Sequence, residues 1–160
     1  MSTAIQNAID AIDEALGYLP ERMNSPEAWV MLLAIGMQES ALLHRRQFGN
    51  GPARGLWQFE RGGVAGVLNH RATAGHAADL CAVLDVRPVA REVWEAMERD
   101  DVLAAGFARL LLWSDPHKLP TIGDVDGAWE LYLRTWRPGK PHVHTWRDNY
   151  NRAVEAVEVA

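Results

Sequence analysis

The chain is expected to fold as an all-α domain of seven or eight helices with no substantial sheet. Three observations predict this. Apolar residues recur at i, i+3, i+4 and i+7 along most of the chain. Capping and breaking residues fall at the ends of those runs. No stretch alternates apolar and polar residues over the length of a strand. At 160 residues, with 48% hydrophobic and 23% charged, one domain with one substantial core is the simplest arrangement. It spans residues 1–160, divided as an N-terminal helical segment 1–22, a core 26–140 and a C-terminal helix 141–160.

The elements follow in order. Ile5, Ala8, Ile9, Ile12 and Leu16 form one helical stripe, which stops near Gly17 with Pro20 beyond. Ser25-Pro26-Glu27 starts the next helix: serine caps, proline suits the first helical position, and the acid suits the positive helix end. That helix is expected from about Pro26 to Leu43 and is apolar nearly all round until Gln38, which marks it as central. Gly49, Asn50, Gly51, Pro52 and Gly55 make residues 45–55 a surface loop. Short helices are expected at 64–70, 73–85 and 88–98. Asp100 or Asp101 caps a longer one through Trp113, with Leu103, Phe107, Leu110 and Leu111 inward, and Asp115-Pro116 breaks it. Leu119-Pro120 and Gly123 make a loop, Asp124 caps a helix to about Trp136, Arg137 to Pro141 is a rigid turn, and a last helix runs over about 145–157.

Composition narrows the function. The one cysteine, Cys81, excludes an internal disulfide and a multi-cysteine zinc site; beside Ala77, Leu80 and Leu84 it reads as a buried thiol. His70, His76, His117, His142 and His144 form no His-Glu-x-x-His motif, so neither metal nor other cofactor is expected. A net charge of −5 makes nucleic acid an unfavourable partner. Residues 131–147 are nevertheless locally basic, with Arg134, Arg137, Lys140, Arg147, His142 and His144 and no acid. That stripe suits either an anionic polymer or plain solvation. No run reaches the roughly 18 apolar residues of a membrane span, so no membrane insertion is expected. Met1-Ser2-Thr3-Ala4 lacks the start of a signal peptide, which predicts cytoplasmic synthesis.

One segment points to chemistry. Leu32, Ile35 and Gly36 share the helix face of Glu39. A carboxyl beside that stripe is partly desolvated, which raises its pKa and fits it to donate a proton near neutrality. Ser40 places a hydroxyl next to it. Downstream, Gly55 permits close backbone approach, Trp57 offers a flat face for a pyranose, and Gln58 offers both a donor and an acceptor. Trp129, Trp136 and Trp146 alternate with arginines; Trp129 reads as core and Trp136 as cleft or partner surface.

Glu39-Ser40 followed by Gly55-Leu56-Trp57-Gln58 resembles the Glu-Ser and Gly-Leu-Met-Gln motifs of lytic transglycosylases in the goose-type lysozyme-like superfamily. The resemblance covers roughly Trp29 to Lys140, and the pattern also looks like small lysozyme-like proteins of tailed bacteriophages. It implies a lysozyme-like fold and cleavage of peptidoglycan glycan strands, with Glu39 as sole acid and base giving a 1,6-anhydro product. It implies substrate contacts from Ser40, Gly55, Trp57, Gln58, Glu60, Tyr132 and Trp136. The family's Tyr-Asn-Ala-Gly turn becomes Arg134-Thr135-Trp136-Arg137, and only Pro138-Gly139 match. The family's tyrosine contacts the catalytic acid; Tyr132 and Tyr150 are the substitutes on offer, neither in register. Trp57 stands for methionine, and Glu60 follows Phe59 where the family is apolar. Glu60 would activate water if it faced Glu39 across a water-sized gap; otherwise it is a surface or ion-pairing residue. The alternatives are a non-catalytic lysozyme-like virion or adaptor protein, with phage virion proteins as partners, and a binding module built on the basic stripe. A cell-wall role requires packaging in a virion or release to the periplasm.

Overall fold

A computed structural model describes residues 1–160, with Phe48 described by its backbone alone. Eight α-helices follow one another: α1 (Thr3–Gly17), α2 (Pro26–Ser40), α3 (Arg61–Asn69), α4 (Ala74–Val83), α5 (Ala90–Ala96), α6 (Asp101–Ser114), α7 (Val125–Trp136) and α8 (Val143–Val159). Single 3-10 turns occur at Glu21–Met23 and Phe48–Asn50. Among the described residues no strand forms; Arg46–Arg54 and Arg54–Phe59 make isolated antiparallel bridges only.

The expected caps at Ser25, Asp100 and Asp124 act, and Ser2, not singled out in the sequence, caps α1. Ser2, Ser25, Asp100 and Asp124 each accept a bond from the amide three residues on, at 3.2, 3.2, 3.0 and 2.9 Å. Each satisfies one of the amides that a helix start leaves unpaired. The apolar run of α2 is buried all round, from Val30 to Met37, and the helix packs against α1, α6 and α8. Tertiary burial, more than helix propensity, holds such a segment.

The end of α2 differs from expectation. The helix stops at Ser40, three residues short of the expected Leu43, because Ala41 and Leu42 take left-handed conformations with φ of 56° and 57°. The turn lets Leu42 fold back against the missing side chain of Gly36: a Cβ there would collide with Leu42 Cδ2. At α5 the helix is shorter than its apolar pattern, and α8 extends two residues beyond expectation at each end. One apolar cluster joins all eight helices. Among the described residues, no helix is long and apolar enough to cross a membrane.

Candidate active site

Glu39 occupies the last turn of α2 and is half-buried. The Tyr132 hydroxyl of α7 donates a hydrogen bond to its Oε2. Among the described residues Oε1 accepts none. Tyr132 is held rigidly. Its ring stacks on Trp146 of α8 at 5.4 Å and 8°, and lies tilted against Trp129 at 5.4 Å. Burial pushes the Glu39 carboxyl above the ordinary glutamate range, and the Tyr132 bond opposes that only in part. Burial and the neighbouring carboxylate push the Tyr132 phenol upward, so it stays protonated and a donor.

Glu39 opens on a cleft of about 1100 Å³. Gln58, Glu60, Tyr132 and Trp136 share its walls, so four of the residues expected around the acid do assemble there. Gln58 sits at φ 52° and donates through Nε2 to the Gly55 carbonyl at 2.9 Å and the His44 carbonyl at 3.3 Å. Glu60 is exposed and, among the described residues, makes no ion pair. Tyr132, one turn before the rewritten Thr135-Trp136-Arg137, takes the place expected of a tyrosine on the acid. Tyr150 does not: its buried hydroxyl accepts from the Gly123 amide at 3.0 Å.

Three of the expected substrate contacts are engaged inside the protein. Trp57 is fully buried and offers no face to a sugar; its Nε1 donates to the Leu32 carbonyl at 2.8 Å. The slot exists because Gly36 has no side chain: a Cβ there would sit 3.3 Å from the indole nitrogen. The indole on the cleft wall is instead the half-buried Trp136, whose Nε1 donates to the Trp57 carbonyl at 2.9 Å. Ser40 reaches the cleft edge, but its hydroxyl is spent inside the protein. It lies 2.6 Å from the Leu56 carbonyl and accepts from the Leu42 amide at 3.1 Å. It therefore fastens the left-handed turn after Glu39 to the downstream loop. Gly55 is buried at φ 79°. The close approach it permits is to the Met97 carbonyl, which a Cβ at this position would meet at 3.1 Å, and not to a ligand.

Gln38 was visible in the sequence only as the point where α2 turns polar. It holds the opposite cleft wall. Nε2 donates to the His142 carbonyl at 2.9 Å, while Oε1 accepts from Thr145 Oγ1 at 3.1 Å and Asn149 Nδ2 at 2.9 Å. The signal that pairs with it is Thr145 and Asn149, four apart on one face of α8. The basic stripe divides: Arg137, Lys140, His142 and His144 line the cleft, Arg134 pairs with Asp115 at 3.1 Å, and Arg147 lies outside the cleft lining. Cys81 is buried, its thiol pushed up to about 11, which leaves it a packing residue.

Compared with protein-family models, with characterised proteins and with solved structures, the chain matches none.

Proposed function

We propose that the chain is a peptidoglycan-cleaving glycosidase of the lytic-transglycosylase type, with Glu39 as its single acid and base. The observation that carries this reading is one carboxyl, raised in pKa by burial, oriented by Tyr132 and facing an open cleft. An open groove favours catalysis over the alternative of a non-catalytic virion or adaptor protein, in which the groove has no reason to remain unfilled.

In this reading protonated Glu39 gives its proton to the glycosidic oxygen as the bond from muramic acid C1 breaks. The carboxylate then takes the proton of the C6 hydroxyl, and O6 closes on C1. The 1,6-anhydro sugar forms, the acid regains its proton, and no water is consumed. Tyr132 engages only Oε2, which leaves Oε1 to carry the proton. Trp136 supplies a ring beside the sugar. Glu60, unpaired in the same cleft, supports a second product: if it activates water, the strand is hydrolysed and the sugar keeps a free reducing end. Access to the wall then depends on a virion or on release into the periplasm.

The test is to incubate the protein with purified sacculi and weigh the released muropeptides by mass spectrometry. Anhydro ends released by wild type and not by Glu39→Gln support the proposal. Hydrated ends select the hydrolytic variant. No release above the Glu39→Gln background sinks the enzyme reading.

A further inference from the structure

We propose that a second pocket, between the C-terminal end of α6, the first turn of α2 and the loop before α7, binds an oxyanion through the guanidinium groups of Arg109 and Arg22. The pocket measures about 580 Å³ and shares no lining residue with the Glu39 cleft. The inference is independent of the reading of Glu39.

Arg109 is the reason to look there. It is 2% exposed, and its Nε donates to the Met23 carbonyl at 2.8 Å. Its Nη1 is buried with no acceptor. A guanidinium carries five N–H donors, and buried ones are nearly always matched. Its charge is unmatched as well. Among the described residues neither Arg109, nor Arg22, nor Lys118 of the same pocket takes part in an ion pair. Burial lowers the Arg109 pKa to about 10, which still leaves it charged at neutral pH. Both guanidinium carbons lie over the Trp113 ring, at 5.6 Å for Arg109 and 5.5 Å for Arg22. Two cations thus lie over one aromatic ring, and among the described residues neither is paired with a carboxylate. A carboxylate or phosphate oxygen supplies both missing partners, the acceptor and the countercharge.

Two carboxylates lie in the wall. Asp115 is taken, by Arg134 at 3.1 and 3.2 Å and by His117 at 3.2 Å. Glu27 makes no ion pair and is the internal competitor for the guanidinium groups. The terminal carbonyls of α6 also repel an anion, so the arginines and Lys118 have to supply the attraction. Nη1 is buried, and Arg22 is the exposed guanidinium over the same ring.

The experiment is a titration of the full chain with sodium phosphate or sodium acetate, at ionic strength fixed with sodium chloride. The Arg109 Nε–H and Trp113 indole N–H signals are followed by NMR. Saturable shifts of both signals are expected, and the tighter of the two salts identifies a phosphate or a carboxylate as the natural group. Arg22→Ala with Lys118→Ala, both exposed, weakens binding by about ten-fold, the scale of one charge-assisted hydrogen bond. Glu27→Gln tightens it. Shifts that merely track chloride, or an affinity unchanged in the Arg22/Lys118 double variant, overturn the proposal.

Discussion

The hydroxyl of Tyr132 donates to Oε2 of Glu39 across 93 residues of sequence, joining α7 to the end of α2. The bond does two opposed things. It fixes the orientation of the carboxyl, and it favours the charged form that burial disfavours. Burial is the larger effect, so the acid keeps a raised pKa while being held in place.

Replacing Tyr132 by phenylalanine separates those effects. Without the donor, the Glu39 pKa rises further. As the proposed proton donor, Glu39 would act only while protonated, so on that proposal kcat/KM falls as pH passes upward through its pKa. The Tyr132→Phe variant therefore moves that alkaline limb to higher pH. Loss of orientation lowers the maximal rate by about ten-fold, the size of one hydrogen bond to a charged group. A pH–rate profile of muropeptide release reads both; a limb that stays put or moves to lower pH contradicts the assignment.

The two tryptophans of the site should respond in opposite ways. Trp57 fills the core against Gly36, so Trp57→Ala costs about 3–5 kcal/mol of stability. Trp136 is half-buried on the cleft wall, so Trp136→Ala costs about 1–2 kcal/mol and mainly raises KM. Denaturant unfolding beside saturation kinetics distinguishes them. Equal stability losses would remove Trp136 from the binding wall.

This contrast also shows what the sequence could reveal. Spacing and caps placed the helices, because apolar periodicity is local and several starts are local chemical events, such as Ser25 on the Ala28 amide. The same local evidence placed Glu39 beside an apolar stripe. It put both Trp57 and Trp136 at the cleft, and could not say that Trp57 is covered. Whether Trp57 or Trp136 is covered depends on Gly36 and Leu42, which meet only through the left-handed turn at Ala41 and Leu42. That turn has no glycine to announce it. The partner of Glu39 was narrowed to Tyr132 or Tyr150 and no further, because the choice rests on packing: Tyr132 stacks on Trp146 and reaches the acid, while Tyr150 bonds the Gly123 amide.

Gln38 is a positioning residue by its geometry, since all its bonds go to the wall carrying His142, Thr145 and Asn149. Gln38→Ala removes three hydrogen bonds that span the two sides of the cleft. Faster amide hydrogen exchange is expected over residues 137–145, with α1 and α6 unchanged. KM rises several-fold while the alkaline limb set by Glu39 stays in place. A purely structural role would instead speed exchange throughout the protein.

Glu39→Gln tests the cost of holding the acid. The folded pKa lies above the unfolded value of 4.5, so folding favours the protonated carboxyl. Its contribution is at its most favourable below pH 4.5 and is lost as pH rises through the folded pKa. At neutral pH the buried carboxylate is therefore a liability that glutamine does not carry. Glutamine also preserves an acceptor for Tyr132. The variant should melt at a higher temperature than wild type near neutrality, and the difference should shrink as pH falls toward 4.5. Thermal unfolding across that range checks it. A variant less stable than wild type at pH 7 would mean that the Tyr132 bond outweighs burial, and Glu39 would then be a poor proton donor at neutral pH.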